Sequence, residues 1–133
     1  MTHQAIFKIT FYKLTYVCSV SYIFLCIRIR RIEGLEGLKR LQILDLHGNQ
    51  IGYVDQNLGA LSSLRILNLA GNSLRNIRNL GPHGLPCLTE LNLKRNRIKS
   101  LEGLQKTPNL RKLFLANNDL QRLAYISTTC HTI

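Results

Sequence analysis

The sequence predicts an α/β solenoid, with short parallel strands on a concave face and turns with short helical segments on the convex face. Three observations carry that prediction. The pattern L-x-x-L-x-L-x-x-N-x-I/L occurs four times in the chain. Its starts, Leu41, Leu64, Leu88 and Leu110, lie 23, 24 and 22 residues apart, a period that belongs to stacked structural repeats. Within each block only two leucines alternate before an Asn breaks the pattern, which suits neither a sustained helical stripe nor a long alternating strand.

The blocks are "LQILDLHGNQI", "LRILNLAGNSL", "LTELNLKRNRI" and "LRKLFLANNDL". In a strand of about five residues, alternate side chains point to opposite faces. The pairs Leu44 and Leu46, Leu67 and Leu69, Leu91 and Leu93, and Leu113 and Leu115 are therefore expected to point inward. Burying each is worth roughly 1.5–3 kcal/mol. One repeat cannot enclose its own leucines, so only stacking on a neighbour realises the gain. Asn49, Asn72, Asn96 and Asn118 stand where each chain segment leaves its strand and turns inward. Backbone groups at a buried bend must find partners, and an amide side chain offers both donors and an acceptor. These Asn residues are read as structural.

The return segments "RIEGLEGLKR", "GYVDQNLGALSS", "RNIRNLGPHGLPC" and "KSLEGLQKTPN" keep apolar residues that bring the chain back to the same core. Their glycines at 34, 37, 59, 81, 84 and 103 are expected at turns or close-packing positions. Counting back one period from the first block puts Ile29, Ile32 and Leu35 in the late positions of a preceding repeat, with Tyr22 and Phe24 in its strand positions. Ile27 then occupies the Asn position, and the match breaks between Ile27 and Ile29.

The chain accordingly divides into an atypical apolar N-terminal segment at 1–27, read as foreign to the repeats, a repeat domain at 28–126, and an incomplete C-terminal end at 127–133. The uncharged run from Leu14 to Ile27 is short for a membrane span, and a membrane anchor or a signal-peptide core are its alternative readings. Cys18, Cys26, Cys87 and Cys130 form no C-x-x-C pair, so neither a disulfide framework nor a zinc site is indicated. That usage points to a reducing, cytoplasmic setting. The four histidines are scattered, with no H-E-x-x-H, nucleophile-elbow or P-loop signature. Neither catalysis nor a cofactor is expected.

The outward strand positions line the concave side, where a protein partner is expected. The first column reads Ile43, Ile66, Glu90, Lys112, the middle one Asp45, Asn68, Asn92, Phe114, and the next His47, Ala70, Lys94, Ala116. Ile43 and Ile66 are expected to be neighbouring exposed apolar residues with Phe114 as a third, a composition suited to protein contact. His47 is read as exposed. The 18 basic against 7 acidic residues add a positive field, concentrated in "LKRNRIKS". Lys94, Arg95, Arg97, Arg111 and Lys112 are expected to form one positive patch attractive to an acidic partner, with Arg65 on an adjacent row. Nucleic acid is disfavoured, because Trp is absent and no recognised nucleic-acid motif accompanies the charge.

The stretches "IEGLEGLKRLQILDLHGNQI" and "IKSLEGLQKTPNLRKLFLANNDL" resemble the SDS22-like class of intracellular leucine-rich repeats, over about residues 29 to 126. More narrowly, "LDLHGNQI", "LSSLRILNLAGNSL", "LTELNLKRNRI" and "LPCLTELNL" resemble the leucine-rich-repeat subunits of tubulin polyglutamylase complexes. That resemblance implies a non-catalytic scaffold of the cytoskeleton or centrosome, working beside a ligase that adds glutamates to tubulin tails. No catalytic residue carries over, because the resembled subunits are not the ligase. The chain is also similar in repeat length to regulatory subunits of protein phosphatases. The concave faces of those subunits are rich in acidic and aromatic residues, and only Asp45, Glu90 and Phe114 match that character here. A membrane-anchored receptor fragment using Leu14 to Ile27 is the further alternative.

Overall fold

The computed structural model describes residues 21–23, 28–35, 37–78 and 84–121. The expectations placed on Phe24, Gly81, the remainder of the Leu14–Ile27 run, Cys18, Cys26, Cys130 and segment 127–133 lie outside the described residues. Five strands, β1 (Ser21–Ile23), β2 (Ile43–Asp45), β3 (Ile66–Asn68), β4 (Glu90–Asn92) and β5 (Lys112–Phe114), pair in parallel and in chain order. Equivalent repeat positions stand opposite one another: Leu44 faces Leu67, Leu67 faces Leu91, and Leu91 faces Leu113. Tyr22 stands opposite Leu44, so β1 lies at the position found by counting back one period.

All eight predicted inward leucines are buried. They join Ile29, Ile32, Leu35 and the apolar residues of the return segments in one continuous core. The strands are three residues long, shorter than the five expected. A left-handed turn residue follows soon after each of the last four: Gly48, Gly71, Arg95 and Asn117 have φ of 68°, 65°, 55° and 61°. The inter-repeat ladder still runs two bonds past the strand, as Leu46, Leu69 and Leu93 donate their N–H to Asn68, Asn92 and Phe114 carbonyls at 2.8 Å, and Gly48, Gly71 and Arg95 to Ala70, Lys94 and Ala116 carbonyls at 2.8–2.9 Å.

Arg95 thus holds a backbone shape that glycine adopts in two other repeats. An L-residue there costs about 1–2 kcal/mol, part of which glycine would lose again through the greater freedom of the unfolded chain. Arg95→Gly is expected to raise stability by about 0.5–1 kcal/mol. A lowered urea midpoint would show that the Arg95 side chain supports the fold in some other way.

The Asn column forms a ladder between repeats. Asn49, Asn72, Asn96 and Asn118 accept through Oδ1 from the N–H of Ile29, Ile51, Leu74 and Ile98, each in the preceding repeat, at 2.9–3.0 Å. Nδ2 of Asn72, Asn96 and Asn118 donates both to a carbonyl of its own repeat and to one of the repeat before. Ile29 takes the same place in this ladder as Ile51, so the repeat geometry has resumed by that residue. Directly before it, Arg28 takes φ 59°, at the point where the sequence match breaks.

The return segments contain 3₁₀ turns at Gln56–Ala60 and Leu104–Lys106, and no α-helix among the described residues. A 3₁₀ turn rises about 2.0 Å per residue, so it crosses the narrow repeat in fewer residues than an α-helix would. Leu58 and Leu104 anchor these turns in the core. Gly84 and Gly103 are close-packing positions: Lys106 and the Ile77 carbonyl occupy the space a Cβ would need. Gly37 is not, because a Cβ there would meet nothing within 4 Å.

Candidate functional site

The parallel register lays the outward residues out in straight columns. Ile43 lies opposite Ile66, Ile66 opposite Glu90, and Glu90 opposite Lys112. Asp45, Asn68, Asn92 and Phe114 make the middle column. Ile43, Ile66 and Phe114 are half-buried, where the sequence led us to expect open exposure. Adjacent strands lie about 4.8 Å apart, so neighbouring side chains in a column cover one another's flanks.

Much of the polar content of this face is internally engaged. Asp45 accepts from the His47 N–H at 3.0 Å, meets His47 Nδ1 at 3.1 Å, and accepts from Asn68 Nδ2 at 3.1 Å. The His47 ring is therefore held against Asp45 and only partly exposed, a correction to its expected free exposure. Asn68 and Asn92 accept through Oδ1 from the N–H of Ala70 and Lys94. Three of these polar side chains thus shape the chain's exit from its strands, whatever they offer a partner.

The basic residues divide in a way the one-dimensional pattern did not show. Lys112 Nζ lies 3.3 Å from Glu90 Oε2, and Lys94 Nζ stands 5.0 Å from the centroid of the Phe114 ring. The structure thus brings Glu90, Lys112, Lys94 and Phe114 onto one end of the face, while Ile43, Ile66, Asp45 and Asn68 occupy the other. Arg95 is exposed on its left-handed turn. Two of the five expected patch cations, Lys112 and Lys94, therefore already have partners.

A second row lies just before the strands, and it holds Arg65 and Arg111, expected from the sequence on the basic rows, in a groove that the sequence does not show. Gln42, Arg65, Thr89 and Arg111 occupy the first variable position of successive repeats. With Ser63, Cys87 and Asn109 they line an open groove of about 380 Å³. The repeat period puts Gln, Arg, Thr and Arg in one column at this position.

Among the described residues, no three His, Cys, Asp or Glu side chains gather as metal ligands. No helix among them is long and apolar enough to cross a membrane. Within the Leu14–Ile27 run, Ser21–Ile23 form β1.

Comparison with known proteins agrees with this architecture. Family profiles described as leucine-rich repeat match residues 40–61 and 62–120. An uncharacterized leucine-rich repeat-containing protein of Schizosaccharomyces pombe is 39% identical over 83 residues, covering 62% of this chain and 13% of that protein. A probable U2 small nuclear ribonucleoprotein A' of Drosophila melanogaster is 44% identical over 84 residues, covering 61% of this chain and 31% of its own length. The matched region is thus less than a third of either relative. Among solved structures, a leucine-rich-repeat protein of Leptospira interrogans superimposes with a TM-score of 0.67 at 28% identity, over 72% of this chain and 25% of that one.

Proposed function

The chain belongs to the leucine-rich-repeat family, and from that premise we propose that it is a non-catalytic protein-binding scaffold that uses its concave strand face. One observation carries the reading: a parallel sheet in strict register presents a continuous row of outward side chains, apolar at Ile43 and Ile66 and ionic-aromatic at Glu90, Lys112, Lys94 and Phe114. Apolar centres bordered by charge are the composition from which protein interfaces are built. The finer proposal is that this scaffold serves a cytoplasmic tubulin-modifying complex, with Lys94 and Arg95 turned toward an acidic partner. Its support is the resemblance of the repeat motifs and the positive balance of the chain.

The test separates the two ends of the face. The Ile43→Ser, Ile66→Ser double variant is expected to weaken capture of the purified tubulin polyglutamylase complex by more than about tenfold, with little salt dependence. The Lys94→Glu, Arg95→Glu double variant should instead weaken binding of a glutamate-rich tubulin tail by about fivefold at low salt, the scale of an exposed ion-pair contact. Lys112 is left unchanged because its reversal would set a Glu directly opposite Glu90, which costs stability by itself. Wild-type-like capture by the Ile variant, with its fold intact, would exclude the strand face as the contact.

A further inference from the structure

We propose that the groove at the N-terminal edge of the strands is a recognition site for a phosphorylated serine or threonine side chain in a partner segment. The site is independent of the strand-face reading. Arg65 and Arg111 flank Thr89, and the three are consecutive along the stack: the Thr89 N–H donates to the Arg65 carbonyl at 2.9 Å, and the Arg111 N–H to the Thr89 carbonyl at 2.9 Å. Strands about 4.8 Å apart place the two arginine backbones roughly 10 Å apart, so two long side chains can converge on one group lying over Thr89. Both arginines are exposed, and both line the same groove of about 380 Å³.

Among the described residues, neither guanidinium is engaged in an ion pair or side-chain hydrogen bond. The acidic residue next to Thr89, Glu90, is paired with Lys112. No carboxylate lines the groove, whose other polar walls are the hydroxyls of Ser63 and Thr89 and the amides of Gln42 and Asn109. The Thr89 hydroxyl donates to the Arg65 carbonyl at 3.0 Å, and the Asn109 amide to the Pro86 carbonyl at 2.7 Å, so those two walls are fixed. Two unpaired forked cations match a phosphoryl group, which carries about −1.5 to −2 charges at neutral pH and three acceptor oxygens. A single carboxylate would leave one guanidinium unmatched.

Cys87 provides a reporter, being an exposed free thiol on the groove wall. The probe is a fluorescein-labelled peptide of small uncharged residues around one central phosphoserine, measured by anisotropy against the full chain. Its unphosphorylated and Glu-substituted counterparts should bind at least about tenfold more weakly. Arg65→Ala and Arg111→Ala should each cost about five- to tenfold, and Arg65→Lys less, since a lysine keeps the charge and loses the fork. Arg97→Ala and the Ile43→Ser, Ile66→Ser pair should each change binding by less than about twofold, which keeps a failure of the groove distinct from a failure of the strand face. Saturating phosphopeptide should slow alkylation of Cys87, read by mass spectrometry of the Cys87 peptide, and should not do so in the Arg65→Ala, Arg111→Ala double variant. The proposal is overturned if the phosphopeptide does not bind, binds equally well without both arginines, or leaves Cys87 unprotected. Displacement by a short single-stranded oligonucleotide at lower concentration than by the unlabelled phosphopeptide would also overturn it, in favour of nucleic acid.

Discussion

Gly103→Ala is expected to lower stability by about 3–5 kcal/mol, the sum of a left-handed backbone cost and an overpacking cost. Gly103 is buried and has φ 113° and ψ −22° at the start of the second 3₁₀ turn. A Cβ there would press into the Ile77 carbonyl oxygen, with the Ile77 carbonyl carbon at 3.0 Å and Arg78 Cα at 3.1 Å. These are backbone atoms of the preceding repeat, so no side-chain rotation can make room. Two repeats would have to separate on their convex side. Each kcal/mol corresponds to several degrees in a chain of this size, so the melting temperature should fall by roughly 10–20 °C. Gly37→Ala is the control, with open space around its Cβ, and should shift stability by less than about 0.5 kcal/mol. A loss below about 1 kcal/mol for Gly103→Ala would mean that the repeats do not pack this closely in solution.

Asn96→Leu is expected to cost about 2–4 kcal/mol in urea unfolding. Asn96 is 7% exposed and forms three bonds at 2.9–3.0 Å, accepting from the Leu74 N–H and donating to the Leu69 and Leu93 carbonyls. The two carbonyls are shared: Leu69 also accepts from Asn72, and Leu93 from Asn118. Only the Leu74 N–H loses its sole partner. An orphaned buried donor costs about 1–3 kcal/mol, and the lost bonds to the carbonyls add a smaller amount. Sharing makes the ladder cooperative, because each Asn ties its own repeat to the one before. Asn96→Leu, Asn72→Leu should therefore destabilise by an amount that departs from the sum of the single variants, as expected for contacts in one network. An unchanged urea midpoint for Asn96→Leu alone would refute the ladder as a source of stability.

Repeat periodicity alone identifies the repeat unit, the buried leucines, the role of the Asn column and the order of residues on the outward strand face. Those features were legible because stacking forces equivalent positions into one environment: Leu44, Leu67, Leu91 and Leu113 must all face the core, and the same Asn must recur wherever the same bend recurs. The turn column is legible in the same way. Gly48, Gly71 and Asn117 mark a left-handed position, and Arg95 lies between them in that series.

How side chains meet across repeats depends on the folded arrangement. Periodicity fixes which backbone positions are neighbours but not where a long charged side chain goes. Lys112 turns to Glu90 and Lys94 to Phe114, which divides the expected basic patch, while Arg65 and Arg111 flank Thr89 in a groove made by four strand approaches. The glycine contacts were hidden for a related reason. The repeats differ in length by one or two residues, so the return segments have no common register, and the meeting of Gly103 with Ile77 and of Gly84 with Lys106 arises only when the convex backbones are brought together around the shared leucine core.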